Sequence, residues 1–186
     1  MTARKPKLTI LNGPPGCGKD TIARLFVKQL MHTELRFKGE LVRVALLIAR
    51  ISEVTWNERY NNRALKEAPW DLLGGLTQRQ YLIKVSEEWI KPVFGKGYFG
   101  KALANEAAAL GRDVVVSDGG FIEEVGAVIA GTDHEIHVVR LHRQGFTFEG
   151  DSRSYVYNSG AIEHDVALVD GEPDLAVLEI VALCGI

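Results

Sequence analysis

One stretch, Gly13-Pro14-Pro15-Gly16-Cys17-Gly18-Lys19-Asp20-Thr21, limits what this 186-residue chain can fold into more than any other. It follows a short apolar run, Leu8-Thr9-Ile10-Leu11, and precedes apolar residues at Ile22, Leu25, Phe26 and Leu30. The run has the make-up of a buried parallel strand. The spacing of three and four after it gives a helix with one apolar face. Strand, glycine loop and helix open a βα unit, the context a phosphate-binding loop requires. Gly16 and Gly18 let the backbone curl and turn its N–H groups inward. The helix start adds unpaired N–H groups and a dipole that favours anions.

Gly13, Gly16, Cys17, Gly18, Lys19, Asp20 and Thr21 thus form the expected binding set for ATP with Mg2+. Lys19 can reach the β- and γ-phosphates and neutralise charge as it moves. The common pattern has Ser or Thr directly after the lysine, whereas here Asp20 stands there and Thr21 follows. Thr21 offers a hydroxyl to Mg2+ or phosphate. Asp20 can accept helix N–H groups, contact magnesium through water, or weaken binding by repelling phosphate.

Further strands are expected at Glu34–Phe37, broken by Gly39, at Asp113–Val116, at Ile136–Leu141 and at Val166–Val169. Helices are expected from Leu41 to Ala49, from Thr77 to a stop near Pro92, from Phe99 to Leu110 with Gly111 as its C-cap, from Phe121 to Ala130 with a stop at Gly131, and between Pro173 and Gly185. Thr77 with Gln80 reads as a capping box. Strands separated by helices make an α/β fold with a mainly parallel sheet, the three-layer P-loop arrangement. No Pro/Gly/Ser-rich linker divides the chain, so one domain over 1–186 is expected. Segments 32–99 and 143–156 read as an acceptor-binding helical insertion and a short lid.

Asp118 lies just past the end of the 113–116 strand, the edge where open α/β sheets bind ligands. It can hold magnesium through water, steer an acceptor oxygen, or simply cap the next helix. Arg140 and Arg143 follow the next strand, and Arg153 lies beyond them. Arginines on a closing segment offset charge on a transferred phosphoryl group and exclude water. Arg36, Lys38, Arg63, Lys66 and Arg79 lie in or beside the insertion and fit an anionic acceptor. Most of Trp56, Tyr60, Trp70, Tyr81 and Trp89 are expected to be local core.

Composition removes other classes. With 22 Lys+Arg against 24 Asp+Glu the net charge is −2, without the basic excess of a nucleic-acid-polymer binder. Two cysteines, Cys17 and Cys184, fit a reducing compartment. The Leu8–Leu11 run is too short for a signal peptide, and Arg43 and Arg50 interrupt the longest apolar patch, so no membrane association is expected. The five histidines show no metal-ligand spacing on one element, so no zinc site is expected.

The sequence resembles the phage-type deoxynucleoside monophosphate kinases, within the P-loop nucleoside monophosphate kinase group, over nearly its whole length. GPPGCGKDT resembles that family's nucleotide loop, including the Lys-Asp-Thr ending, and RFKGELVRVA its segment after the first helix. YNNRALKEAPWDLLGGLTQRQYLIKVSEEWIKPVFGKGYFG resembles its acceptor-binding insertion, and VVVSDGGFIEE and VVRLHR its later core strands. The Lys-Asp pair also occurs in animal phosphomevalonate kinases, so the loop alone does not choose the acceptor.

The resemblance implies ATP binding at Gly16, Gly18, Lys19, Asp20 and Thr21, and acceptor binding at Arg63, Lys66 and Arg79. It puts Asp118 on the acidic residue of an Asp-x-Arg-Phe stretch and Arg140 and Arg143 near the lid. Gly120 stands where that stretch carries arginine, so one phosphate contact is missing or supplied from elsewhere. The implied enzyme is an ATP-dependent nucleoside monophosphate kinase. Its setting would be the cytoplasm, including that of a phage-infected bacterium, with nucleotides as its partners and a homodimer left open. A kinase of another small phosphomonoester and a non-catalytic nucleotide-binding protein are the alternatives.

Overall fold

The computed structural model describes residues 4–186, apart from the side chain of Arg63. The chain forms two compact units, one of residues up to Phe37 together with Gly100–Ile186, the other Lys38–Phe99.

The first unit is built on a five-stranded sheet. Its strands are β1 (Lys7–Asn12), β2 (Thr33–Leu35), β3 (Val114–Gly119), β4 (Glu135–His142) and β5 (Ile162–Ala167), in the order β2-β3-β1-β4-β5. Every pairing is parallel, so all strands end at one edge and β1 ends in the middle of it. Alternation along the strands supplies two apolar faces. Leu8, Ile10, Val114, Val116, Ile136 and Val138 pack with Leu103 and Ala107 of α7 (Tyr98–Leu110) and with Val125 and Val128 of α8 (Ile122–Gly131). Leu11, Val115, Val139, Leu141 and Val166 pack with Ile22, Ala23 and Phe26 of α1 (Lys19–Leu30) and with Ala176, Val177 and Ile180 of α9 (Pro173–Cys184). Helices therefore cover both faces, which gives three layers.

β3 carries one residue more than its partner. Leu8 to Ile10 pair with Val114 to Val116, but Asn12 pairs with Gly119. This bulge lies at Ser117-Asp118, where a bulge re-aims a side chain at the sheet's end.

The second unit has its own core of Ala45, Ile51, Trp56, Leu73, Tyr81, Val85, Ile90 and Phe99. Gly39 does not break a strand. β2 has ended at Leu35, and Gly39 lies within α2 (Phe37–Ala49). Ser52 caps α3 (Glu53–Asn61), accepting from Thr55 N at 3.1 Å, and Asn62 caps α4 (Arg63–Lys66). The Thr77–Gln80 capping box opens α5 (Gln78–Lys84), with bonds of 3.2 and 2.9 Å. The helical path ends at Phe94, two residues past Pro92 and so near the expected stop. A π turn over Val85–Ile90 leads into α6 (Lys91–Phe94), and Pro92 falls in its first turn, where no intrahelical N–H is required. Gly95, at φ 87°, ends it.

β2 pairs with β3 in the main sheet, so residues 33–35 belong to the first unit and the helical insertion starts at Lys38. The last strand begins at Ile162, earlier than its apolar residues imply, because Glu163, His164 and Asp165 occupy it as polar members. No helix among the described residues is long and apolar enough to cross a membrane.

Candidate nucleotide-binding site

β1 delivers the chain to the centre of the sheet's carboxyl edge, and the loop from Gly13 turns it into α1. Gly16 and Gly18 have φ of 76° and 120°, which a side chain would strain, and the turn is closed by Cys17 N donating to Pro14 O at 3.3 Å. Gly18 caps α1 without a side-chain bond, and while Thr21 N donates to Gly18 O at 3.0 Å, the earlier N–H groups of Lys19 and Asp20 remain as partners for an anion. The Lys19 ammonium donates to the carbonyls of Gly13 and Pro14, each at 2.6 Å. The residue is 8% exposed. Burial lowers its pKa, opposed by the Cys17 thiol and reinforced by Arg153. A buried cation held by two neutral carbonyls is a ready partner for phosphate.

Asp20 and Thr21 leave the helix on different sides. Thr21 lines a cleft of about 190 Å³ with Cys17, Arg143, Leu168 and Pro173. Asp20 lies 3.6 Å from the Arg36 guanidinium. Arg36 is itself held at 2.7 Å by Glu34, and Asp118 adds to the field that keeps it charged. Asp20 and Asp118 thus flank the same arginine. Two carboxylates beside a phosphate loop fit a hydrated Mg2+, a hard ion that takes oxygen ligands and keeps several waters. Thr21, on the cleft side, faces it together with Cys17 and Gly18 of the same loop.

Asp118 does cap a helix, but not the one that follows it in sequence. Its Oδ1 accepts the Phe37 N–H at 2.9 Å, the start of α2. Next to it, the Arg153 side chain lies across Gly120. A Cβ at Gly120 would come within 2.6–2.7 Å of Arg153 Cδ, Cγ and Cβ. Asp151 grips the guanidinium through Nε at 2.8 Å and Nη2 at 2.9 Å. With Asp118 and Glu124 at longer range, Asp151 holds Arg153 firmly charged.

Asn12 is a residue that sequence reasoning passed over. It is fully buried, donates to Gly119 O at 3.2 Å and Ser154 O at 3.0 Å, and accepts from Val156 N at 2.8 Å. Tyr155 Oη also donates to Leu141 O at 3.0 Å. The end of the 143–156 segment is thereby bonded to the sheet, and Arg153 is delivered beside the loop. The signal in the sequence was an amide closing an otherwise apolar strand.

Arg140 belongs elsewhere. It is 5% exposed on β4, bonded to Asp165 through Nε at 2.8 Å and Nη2 at 2.6 Å, to Glu163 at 2.6 Å and to Val156 O at 2.9 Å. Its guanidinium stacks 4.2 Å from the Tyr157 ring centre. A guanidinium consumed by internal partners ties β4 to β5, so the expected catalytic role is withdrawn. Arg143 pairs with Asp170 at 2.7 Å, lies 4.6 Å from the Phe146 ring centre and lines the Thr21 cleft.

In the second unit, Lys38 and Lys66 converge on Tyr60, their ammonium groups 5.9 and 4.1 Å from its ring centre. Burial raises the Tyr60 pKa, but the two ammonium groups outweigh it and the net shift is downward. Arg79 is exposed in the first turn of α5. The side chain of Arg63 lies outside the described residues. Trp56 and Tyr81 are core, as expected.

No family model matches the sequence, and no curated protein does. Solved structures are similar in fold. A sugar kinase from Janibacter sp. HTCC2649 is 10% identical with a TM-score of 0.55, over 97% of this chain and 95% of that one. The APS kinase of Mycobacterium tuberculosis, in complex with AMPPNP and APS, is 14% identical with a TM-score of 0.54, over 98% and 99%. Shikimate kinase from Bacteroides thetaiotaomicron is 12% identical with a TM-score of 0.51, over 97% and 99%. The chain shares the fold of these kinases, a three-layer α/β arrangement on a parallel sheet.

Proposed function

We propose that this protein transfers the γ-phosphoryl group of ATP to a deoxynucleoside monophosphate, giving ADP and a deoxynucleoside diphosphate. The observation that carries the reading is the buried Lys19 ammonium, held by two loop carbonyls at the start of an uncapped helix. The likeness of the 57–100 segment to the acceptor-binding insertion of nucleoside monophosphate kinases turns it toward nucleotides. The Lys38–Tyr60–Lys66 cluster supports an anionic acceptor. The site of action would be the cytoplasm.

An acceptor phosphate with a second pKa near 6 is largely dianionic at neutral pH, so its oxygen attacks the γ-phosphorus without a strong base. The bond from γ-phosphorus to the β-bridging oxygen breaks and ADP leaves. Lys19 exchanges its carbonyl partners for phosphate oxygens and follows the moving charge. Arg153 adds a guanidinium beside Asp118 and Gly120, and Asp151 fixes its direction. Asn12 keeps that segment against the sheet and excludes water as a competing acceptor. Magnesium, held through water by Asp20 and Asp118, would supply charge neutralisation on the phosphates.

The test is a coupled ADP-release assay with ATP and a panel of dTMP, dGMP, dCMP, dAMP, 5-hydroxymethyl-dCMP and phosphomevalonate. Turnover on a deoxynucleotide is expected, with Lys19→Met folded and at least ~10²-fold slower, the scale of losing one strong charge-stabilising donor. Turnover on phosphomevalonate alone would move the acceptor class. ATP binding with no turnover on any acceptor would make the protein a nucleotide-binding module.

A further inference from the structure

The end of the sheet opposite the phosphate loop carries a second group of chemically active side chains. His137 on β4, His164 on β5 and Cys184, the last residue of α9, bring three ligand atoms within 4.8 Å of one another. We propose that they form a binding site for a divalent ion of the zinc class, fastening the end of α9 to β4 and β5.

The spacing is close to what such an ion needs. With Zn–N of about 2.0–2.1 Å and Zn–S of about 2.3 Å, tetrahedral geometry puts two nitrogens about 3.3–3.4 Å apart and nitrogen and sulfur about 3.5–3.6 Å apart. His137 Nδ1 and His164 Nε2 are 3.0 Å apart, with their rings 13° from parallel. A few tenths of an ångström of ring movement sets the two nitrogens, and the sulfur, within 4.8 Å of both, closes by up to about 1 Å to complete the tetrahedron.

The surroundings fit a metal-ligating histidine. His137 Nε2 donates to Glu135 Oε1 at 2.9 Å, and Lys7 holds the same oxygen at 2.7 Å. A carboxylate on the far nitrogen fixes the tautomer that leaves Nδ1 as a lone pair and raises its basicity, as metal-ligating histidines usually require. Thr9 is a second sign. It pairs in register with His137, is fully buried, and sets its Oγ1 against the Cys184 sulfur. A neutral thiol is a weak acceptor, and a metal-bound thiolate would accept the hydroxyl hydrogen more strongly.

The proton balance is simple. Burial pushes the Cys184 thiol up to about 11, so without an ion it is neutral. Binding releases that proton to solvent. It also moves the His164 ring proton from Nε2 to Nδ1, and His164 is only partly buried, so water can carry the exchange and fill a fourth position. Two imidazoles and a thiolate select a borderline transition metal and reject Mg2+, which prefers oxygen. Thr9 lies four residues before Gly13, about 13 Å along a strand, so the site is separate from the nucleotide loop and does not depend on the reading of that loop.

The experiment is a Co2+ titration of the full chain after treatment with a chelator, followed by displacement with Zn2+. One equivalent should produce the near-ultraviolet thiolate-to-cobalt band and the strong visible bands of four-coordinate Co2+. Cys184→Ser should remove the near-ultraviolet band, while Cys17→Ser should keep it. His164→Gln, at the solvent side of the cluster, should weaken binding at least 10-fold, and it covers the case in which Cys184→Ser fails to fold. Glu135→Gln, with all three ligands intact, should weaken binding about 10- to 100-fold. Absence of a saturable band in the parent chain, or a band that survives His164→Gln unchanged, would overturn the proposal and leave a hydrogen-bonded histidine pair.

Discussion

Arg140→Ala tests whether this arginine serves the sheet or the reaction. The substitution removes the paired bonds to Asp165, the 2.6 Å bond to Glu163, the 2.9 Å bond to Val156 O and the stacking on Tyr157. Breaking a buried ion pair by deleting one partner costs about 3–5 kcal/mol. The low end applies here. The Asp165 side chain is 53% exposed and regains water, and Glu163 keeps its bonds to Ser159 N and Oγ, both 2.8 Å. A loss of about 3 kcal/mol lowers Tm by about 6–12 °C, at 2–4 °C per kcal/mol for a chain of this size. Thermal unfolding followed by circular dichroism gives Tm, and the ADP-release assay, run well below both midpoints, gives kcat. The expected result is the Tm loss with kcat within about 3-fold of the parent. A kcat lowered by ~10²-fold or more at unchanged Tm, the signature of a lost charge-stabilising donor, would refute the assignment and return Arg140 to the reacting phosphate.

Gly120→Ala puts a methyl group 2.6–2.7 Å from the Arg153 stem, an overpacking worth about 1–3 kcal/mol. Both Tm and kcat should fall while KM for ATP holds. Adding Arg153→Ala removes the Cγ and Cδ contacts but keeps Cβ at 2.7 Å, so it should recover Tm only in part and not kcat, a non-additivity that a double-mutant cycle reads directly. Glu135→Gln gives a pH test. Lys7 first, and then His137, hold the Glu135 pKa down at about 2 against the usual 4.5. A depressed carboxylate stabilises the fold above its unfolded pKa, and that contribution fades as pH falls from 4.5 toward 2. The stability gap between parent and variant in urea titrations should therefore be full above pH 4.5 and close below it. A gap that widens on acidification would contradict the pairing.

The strands and the loop were legible because both depend on local pattern. Leu8–Leu11 and Val114–Val116 are buried on both faces, and Gly16 and Gly18 are where the backbone takes positive φ. Features that depend on contacts between distant residues were not legible. The bulge in β3 exists only relative to β1. Arg140 reads like Arg143 until Glu163 and Asp165 are seen on the neighbouring strand. Arg153 gains its position from Asn12, 141 residues earlier in the chain, through Ser154 and Val156. The histidines lie on two strands and the cysteine on a helix, so no spacing within one element reveals their meeting. The π turn over Val85–Ile90 follows no hydrophobic period.

β4 carries polar groups toward opposite layers: His137 alternates with Arg140 across the strand, one meeting His164, the other Glu163 and Asp165. Sliding β4 against β5 by one position would swap these clusters between layers and leave each without its partner. Sliding by two would restore the layers but drag the guanidinium roughly 7 Å from its carboxylates. In a sheet whose other central strands are largely interchangeable valines and leucines, these two clusters act as a key that admits a single alignment.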